Sequence, residues 1–156
     1  MIDRLSEILD EREFLYGMLC RDVTMIDVEL MAQAGYHIIW IDLEHSHQST
    51  SEALRLCRFI THLGMVPLVR ILEATRTHVQ RLLDGGAQII NLPDVRSAQQ
   101  AANLVELGKY PPLGERGVSS TSASTDFSLG SDTGETLKNA NAASHLMVMF
   151  ESDSGY

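Results

Sequence analysis

Cysteine is nearly absent from this chain: Cys20 and Cys57 are the only two, each in an apolar setting and without Cys-x-x-Cys spacing. Such usage excludes a disulfide framework or a cysteine-built zinc site and reads as two buried thiols. Basic residues are scarce as well, with 12 Lys plus Arg against 21 Asp plus Glu, a formal net charge of −9 and no basic run. An acidic chain of this kind has no electrostatic footprint for a phosphate backbone, which excludes nucleic acid as a partner. No apolar run approaches the roughly 20 residues that span a bilayer, and Met1-Ile2-Asp3-Arg4 lacks the charged-then-apolar pattern of a secretory signal. No membrane partner is expected, and a cytoplasmic location is. What is present, 156 residues of which 44% are hydrophobic, suffices for one domain with a real core.

Short apolar runs at Phe14 to Leu19, Ile38 to Ile41, Val66 to Ile71, Gln88 to Leu92 and Leu146 to Phe150 alternate with stretches of helical period. The alternation predicts a parallel α/β sheet with right-handed crossovers. The first crossover helix starts at Thr24 with Asp27 in capping-box position, carries Ile26, Leu30, Met31 and Ala34 on one side, and stops at Gly35. The second runs from about Ser51 to His62 with Leu54, Cys57 and Ile60 or Thr61 inward. The third, from Thr75 to Asp84, buries Val79, Leu82 and Leu83; the fourth opens at Ser97, with Gln100 in capping-box position, and ends at Gly108. A Ser/Thr/Gly-rich stretch from Val118 to Gly134 is expected to be a mobile loop, with a linker and an active-site loop as its two readings.

Polar residues stand where the buried strands end. Ile38-Ile39-Trp40-Ile41 runs directly into Asp42-Leu43-Glu44-His45. The carboxyl ends of parallel strands are where α/β folds keep their reactive groups. A neutral imidazole such as His45 is suited to taking a proton near neutral pH. Arg70 ends Val66-Pro67-Leu68-Val69, where a guanidinium needs a carboxylate or an anionic ligand. Asp84 precedes Gly85-Gly86 at a helix end, where the default is a solvated terminus. Glu151 follows the last apolar run and offers a hard oxygen of the type divalent cations prefer. The remaining histidines, His37, His47, His62, His78 and His145, read as surface or loop residues.

Six segments together carry a family resemblance. They are Ala34-Gly35-Tyr36 leading into Ile41-Asp42-Leu43-Glu44-His45; Val66-Pro67-Leu68-Val69-Arg70; Leu83-Asp84-Gly85-Gly86-Ala87; Leu92-Pro93-Asp94-Val95; Tyr110-Pro111-Pro112-Leu113-Gly114-Glu115-Arg116-Gly117; and Val148-Met149-Phe150-Glu151. In order and spacing the chain resembles the HpcH/HpaI-type class II pyruvate-dependent aldolases of the aldolase/citrate lyase superfamily. The resemblance implies a TIM (β/α)8 barrel of the phosphoenolpyruvate/pyruvate-binding type. About the first five of its βα units are expected here, residues 1–156 forming one incomplete barrel domain.

The activity it implies is reversible cleavage of a 4-hydroxy-2-oxo acid to pyruvate and an aldehyde through a metal-bound enolate, with Mg2+, Mn2+ or Co2+ as cofactor. His45 matches the catalytic base, Asp84 the carboxylate that pairs with it, and Arg70 the group that binds pyruvate and stabilises developing charge. Arg116 is a substrate-binding candidate, and Glu151 matches one of two metal ligands. The second ligand in the family, an Asp, ends the next strand, and Met149 stands where many members carry Gln. Homo-oligomers, commonly hexamers in relatives, are implied too. Two alternatives from other classes are an inactive truncated paralogue acting as an interaction scaffold, and an acyl-CoA lyase of the citrate lyase branch.

Overall fold

A computed structural model describes residues 3–119, 121–128 and 132–155. Strands β1 (Gly17–Cys20), β2 (Ile38–Asp42), β3 (Val66–Arg70), β4 (Ile89–Leu92) and β5 (His145–Val148) pair in sequence order, every pair parallel. Helices α1 (Arg4–Glu11), α2 (Met25–Gln33), α3 (Thr50–His62), α4 (Arg76–Asp84), α5 (Ala98–Gly108) and α6 (Thr133–Ala142) precede or connect them.

Local sequence explains the helix starts. Thr24 with Asp27 and Ser49 with Glu52 form reciprocal capping boxes, and Thr75 and Ser97 cap α4 and α5. At α5 the box is incomplete: Gln100 Oε1 accepts the N–H of Arg96 rather than that of Ser97. Gly85, just past α4, lies so close to α3 that a Cβ there would sit 2.1 Å from Leu54 Cδ2.

Strand alternation divides the buried residues into two layers. Ile39, Ile41, Val69, Ile71, Ile90 and Leu92 face the helices and form the main core with residues such as Leu56, Ile60, Val79 and Leu82. Val66, Leu68 and Ile89 face the other way and pack with Ile38, Trp40 and Met147 against Leu5 and Ile8 of α1. The helix α1 therefore closes the amino-terminal end of the inner face. Arg4 Nε donates to the Gly64 carbonyl at 2.9 Å, and His145 Nε2 lies 2.9 Å from Asp3 Oδ1.

Four expectations need correction. The helix α1 follows an i, i+3 spacing of Leu5 and Ile8, and α6 has little apolar stripe beyond Leu137 and Ala140, so neither registers as a crossover unit. In α2 it is Val28 that is buried, while Ile26 and Leu30 face out, because the helix is rotated about its axis relative to the expected stripe. His145 and His37 are not idle surface groups: the first pairs with Asp3, and the second accepts the Tyr16 N–H through Nδ1 at 3.0 Å. The Ser/Thr-rich stretch is partly packed, with Ser122, Ser124 and Thr125 buried around a short 3-10 turn. Its Ser120, Leu129, Gly130 and Ser131 lie outside the described residues, as does Tyr156.

Candidate active site

Register brings the first polar group together. Asp42 lies opposite Arg70, and Arg70 opposite Asn91, so all three side chains belong to the inner face at the carboxyl end of the sheet. Asp42 accepts Arg70 Nε at 2.9 Å on Oδ1 and Arg70 Nη2 at 2.6 Å on Oδ2, a bidentate pair in which Asp42 is inaccessible and Arg70 is 8% exposed.

Beyond Asp42 the chain turns under the same carboxylate. Oδ1 also accepts the backbone N–H groups of Glu44 at 3.0 Å and His45 at 3.3 Å, and Ser46 Oγ donates to the Asp42 carbonyl. Burial alone would push the Asp42 carboxyl up, but the Arg70 hydrogen bonds and these two N–H groups outweigh it and bring the group down to about 2. Asp42 is thus ionised throughout the neutral range.

The turn presents Glu44 and His45 to the open side of this pair. Glu44 Oε2 lies 3.3 Å from Arg70 Nη1 and 3.5 Å from His45 Nε2, and the imidazole itself is mostly exposed. Arg70 is held protonated first by its hydrogen bonds to Asp42, against the opposing effect of burial, and then by the fields of Asp42, Glu44 and Glu151. Glu151 accepts the Asp94 N–H at 2.8 Å, which fixes the segment after β5 to the segment after β4. His45, Arg70 and Glu151, singled out in the sequence, therefore converge at one end of the sheet. Asp42 and Glu44 join them; the Asp-x-Glu-His run contained both, but only the strand register reveals that they are Arg70's partners.

Within this chain Asp84 and Arg116 do not join this group, so the pairing of Asp84 with His45 that the resemblance implies is not made inside one chain. As the last residue of α4, Asp84 lies on the side where β4 begins, opposite the end where β2 delivers His45. Asp84 Oδ1 accepts Arg116 Nη2 at 2.6 Å, and Ser124 Oγ lies 3.3 Å from the same oxygen. The Arg116 guanidinium stands 4.4 Å from the Tyr110 ring centroid, and its Nη2 donates to Ser124 Oγ at 2.8 Å. Gly114 packs the preceding loop against the end of α5, where a Cβ would be 2.5 Å from the Lys109 carbonyl oxygen. Arg116 is wholly buried in this cluster, so within this chain it holds Asp84 rather than a ligand at the mouth.

Among the described residues no group of three or more His, Cys, Asp or Glu side chains is placed to hold a metal ion. Glu151 supplies a single hard oxygen donor; Asp42 and Glu44 are engaged with Arg70, and Asp94 with Arg96. These residues do not by themselves make a complete cation site.

The profile of the HpcH/HpaI aldolase/citrate lyase family matches residues 20–156. This chain belongs to that family. It is 32% identical over 157 residues to a hydroxypyruvate/pyruvate aldolase of Paraburkholderia phytofirmans, covering 97% of this chain and 59% of the relative. A 2-keto-3-deoxy-L-rhamnonate aldolase of Salmonella gallinarum is 31% identical over 118 residues, covering 76% and 44%. Among solved structures, an HpcH/HpaI aldolase from Desulfitobacterium hafniense superposes with a TM-score of 0.88 at 34% identity, over 96% of this chain and 57% of that one. The chain thus spans about half the length of the curated relatives it matches. Its parallel sheet and helices are part of the barrel these proteins share.

Proposed function

We propose that this chain carries the catalytic base and the oxo-acid-binding cation of an aldolase that cleaves 4-hydroxy-2-oxo acids to pyruvate and an aldehyde. The observation that carries the reading is the convergence of Arg70, already neutralised on one side by Asp42, with an exposed His45 at the carboxyl end of a barrel sheet. Arg70 binds the carboxylate and 2-oxo oxygen of the substrate and stabilises the negative charge that develops on that oxygen. His45 takes the proton of the 4-hydroxyl group; the C3–C4 bond breaks, the aldehyde leaves, and its electron pair passes into the pyruvate enolate. Return of a proton to C3 completes pyruvate. In the reverse sense His45 removes a methyl proton from pyruvate.

A divalent ion, Mg2+, Mn2+ or Co2+, supplies Lewis-acid polarisation of the oxo group when bound. Glu151 is the residue of this chain offered to it, and further ligands are required from elsewhere. Free Cys20 and Cys57 fit a reducing compartment and hence the cytoplasm.

Deuterium exchange into the pyruvate methyl group, followed by NMR with Mn2+ or Mg2+ in the full natural polypeptide that contains these residues, tests the reading. Exchange that His45→Ala and Arg70→Lys both abolish supports it; no exchange in the wild type refutes it. A second reading, an interaction subunit, draws support from the apolar Met18, Leu19, Met25, Ile26 and Leu30, all at least 36% exposed along β1 and α2. The same surface is the one we would assign to homo-oligomer contacts. Exchange by the wild type would set the non-catalytic reading aside.

A further inference from the structure

Two arginines at the carboxyl end of the sheet approach the same carboxylate oxygen, and only one of them is satisfied there. We infer that Arg21 is a second oxo-acid-binding cation of this site, taking the C1 carboxylate of the substrate beside Arg70. The inference rests on the aldolase reading above.

Register places Arg21. Cys20, the last residue of β1, lies opposite Ile41, and both face the helices, so the residues that follow them, Arg21 and Asp42, belong to the inner face at one level. The backbone beyond Arg21 is fixed. Asp22 takes a left-handed φ of 56°, which Asp tolerates better than most residues, and its Oδ1 accepts the His47 N–H at 2.8 Å. Gln48 Nε2 donates to the Val23 carbonyl, also at 2.8 Å. The segments after β1 and β2 are thereby tied to each other, and Arg21 stands at the mouth on an anchored turn.

The charges are shared unevenly. Asp42 Oδ2 accepts Arg70 Nη2 at 2.6 Å and has Arg21 Nε only at 3.5 Å, while Oδ1 is taken by Arg70 Nε and the N–H groups of Glu44 and His45. Arg70 has Glu44 as a second carboxylate, at 3.3 Å from Nη1. Arg21 has no other ion-pair partner among the described residues, and 59% of its side chain is exposed. Its two terminal nitrogens are therefore open, and a guanidinium presents paired N–H donors that match the two oxygens of a carboxylate. The C1 carboxylate is bonded to the carbon whose oxygen Arg70 stabilises, whereas the aldehyde half begins two carbons further on. Guanidinium groups that share one aspartate oxygen are neighbours, as the oxo oxygen and the C1 carboxylate are.

The test is Arg21→Gln in the full natural polypeptide, with pyruvate methyl exchange in Mn2+ read as KM against kcat. We expect KM for pyruvate to rise about tenfold, with a much smaller change in kcat, because the contact is made in the ground state and the transition state alike. Arg21→Lys, which keeps the charge without the fork, should recover part of the loss. In the aldol direction at saturating pyruvate, KM for glyoxylate, an aldehyde with a carboxylate of its own, should stay near its wild-type value. An Arg21→Gln protein that is merely less stable to urea, with KM for pyruvate unchanged, would make Arg21 a brace for Asp42. A KM effect confined to glyoxylate would move the cation to the aldehyde half. Either outcome overturns the inference while leaving the aldolase reading intact. A wild type that exchanges no deuterium would overturn that reading instead, and with it the substrate assigned to Arg21.

Discussion

The two ends of the sheet each hold an arginine–aspartate pair at 2.6 Å, yet the pairs do different work. At the carboxyl end, Asp42 is inaccessible, Arg70 has carboxylates at every terminal nitrogen, and Glu44, His45 and Glu151 surround the pair with ionisable groups. At the amino end it is the arginine that is inaccessible, with Arg116 Nε and Nη1 lacking partners among the described residues, while Asp84 keeps 23% of its side chain exposed and the neighbours are hydroxyls and an aromatic ring. A pair bordered by an imidazole and further carboxylates is, on the proposed reading, the one that serves the chemistry. A pair closed by hydroxyls and a ring fixes a loop onto a helix end. The distance between the charged atoms does not distinguish the two; their surroundings do.

Removing the cation at each end should break the symmetry. Arg70→Met leaves Asp42 ionised and buried without its partner, and we expect a loss of about 3–5 kcal/mol. Arg116→Met leaves Asp84 a route to water and should cost less, about 1–3 kcal/mol. Urea unfolding of both variants measures the difference, and equal losses would mean that the ends are not distinct in the way described.

Acid should act on the carboxyl end with a defined sign. Asp42 titrates at about 2 when folded, against an ordinary value of 3.8, so its stabilising contribution is complete above the ordinary value and disappears as pH falls from there toward 2. Unfolding midpoints across that window should fall for the wild type, and Asp42→Asn should lose this share of the slope. If the slope survives the substitution, the acid sensitivity belongs to other carboxylates.

The smallest effect concerns Asn91, the inner-face neighbour of Arg70. Its Oδ1 has no partner among the described residues, and its Nδ2 rests 3.0 Å from the weakly accepting Sδ of Met149. A buried amide so poorly satisfied destabilises, and Asn91→Leu should raise stability by about 1 kcal/mol in the same unfolding experiment. A decrease would show that the amide has a partner of consequence.

Much of the architecture was legible in residue order. Apolar runs closed by glycines, and Ser or Thr followed at the right spacing by Asp, Glu or Gln, are local signals, and they located four crossover helices and five parallel strands because each depends on a few neighbouring side chains. The short α1 and the weakly striped α6 escaped because their positions depend on distant contacts, Asp3 with His145 and Asn141 with Tyr110. Of the candidate site, His45, Arg70 and Glu151 could be picked out because a polar residue after a buried strand is conspicuous in the sequence alone.

Partnership was decided elsewhere. Nothing in the order of residues says that Asp42 meets Arg70, that Glu44 stands between Arg70 and His45, or that Asp84 turns away to Arg116. Those facts follow from parallel register, which sets the ends of β2 and β3 side by side, and from the direction of α4, which carries Asp84 back to the opposite end of the sheet. Sequence determines which side chains carry charge and which stretches are buried, since both are properties of neighbouring residues. Which charges face one another depends on how elements far apart in the chain are aligned, and only the packed sheet fixes that alignment.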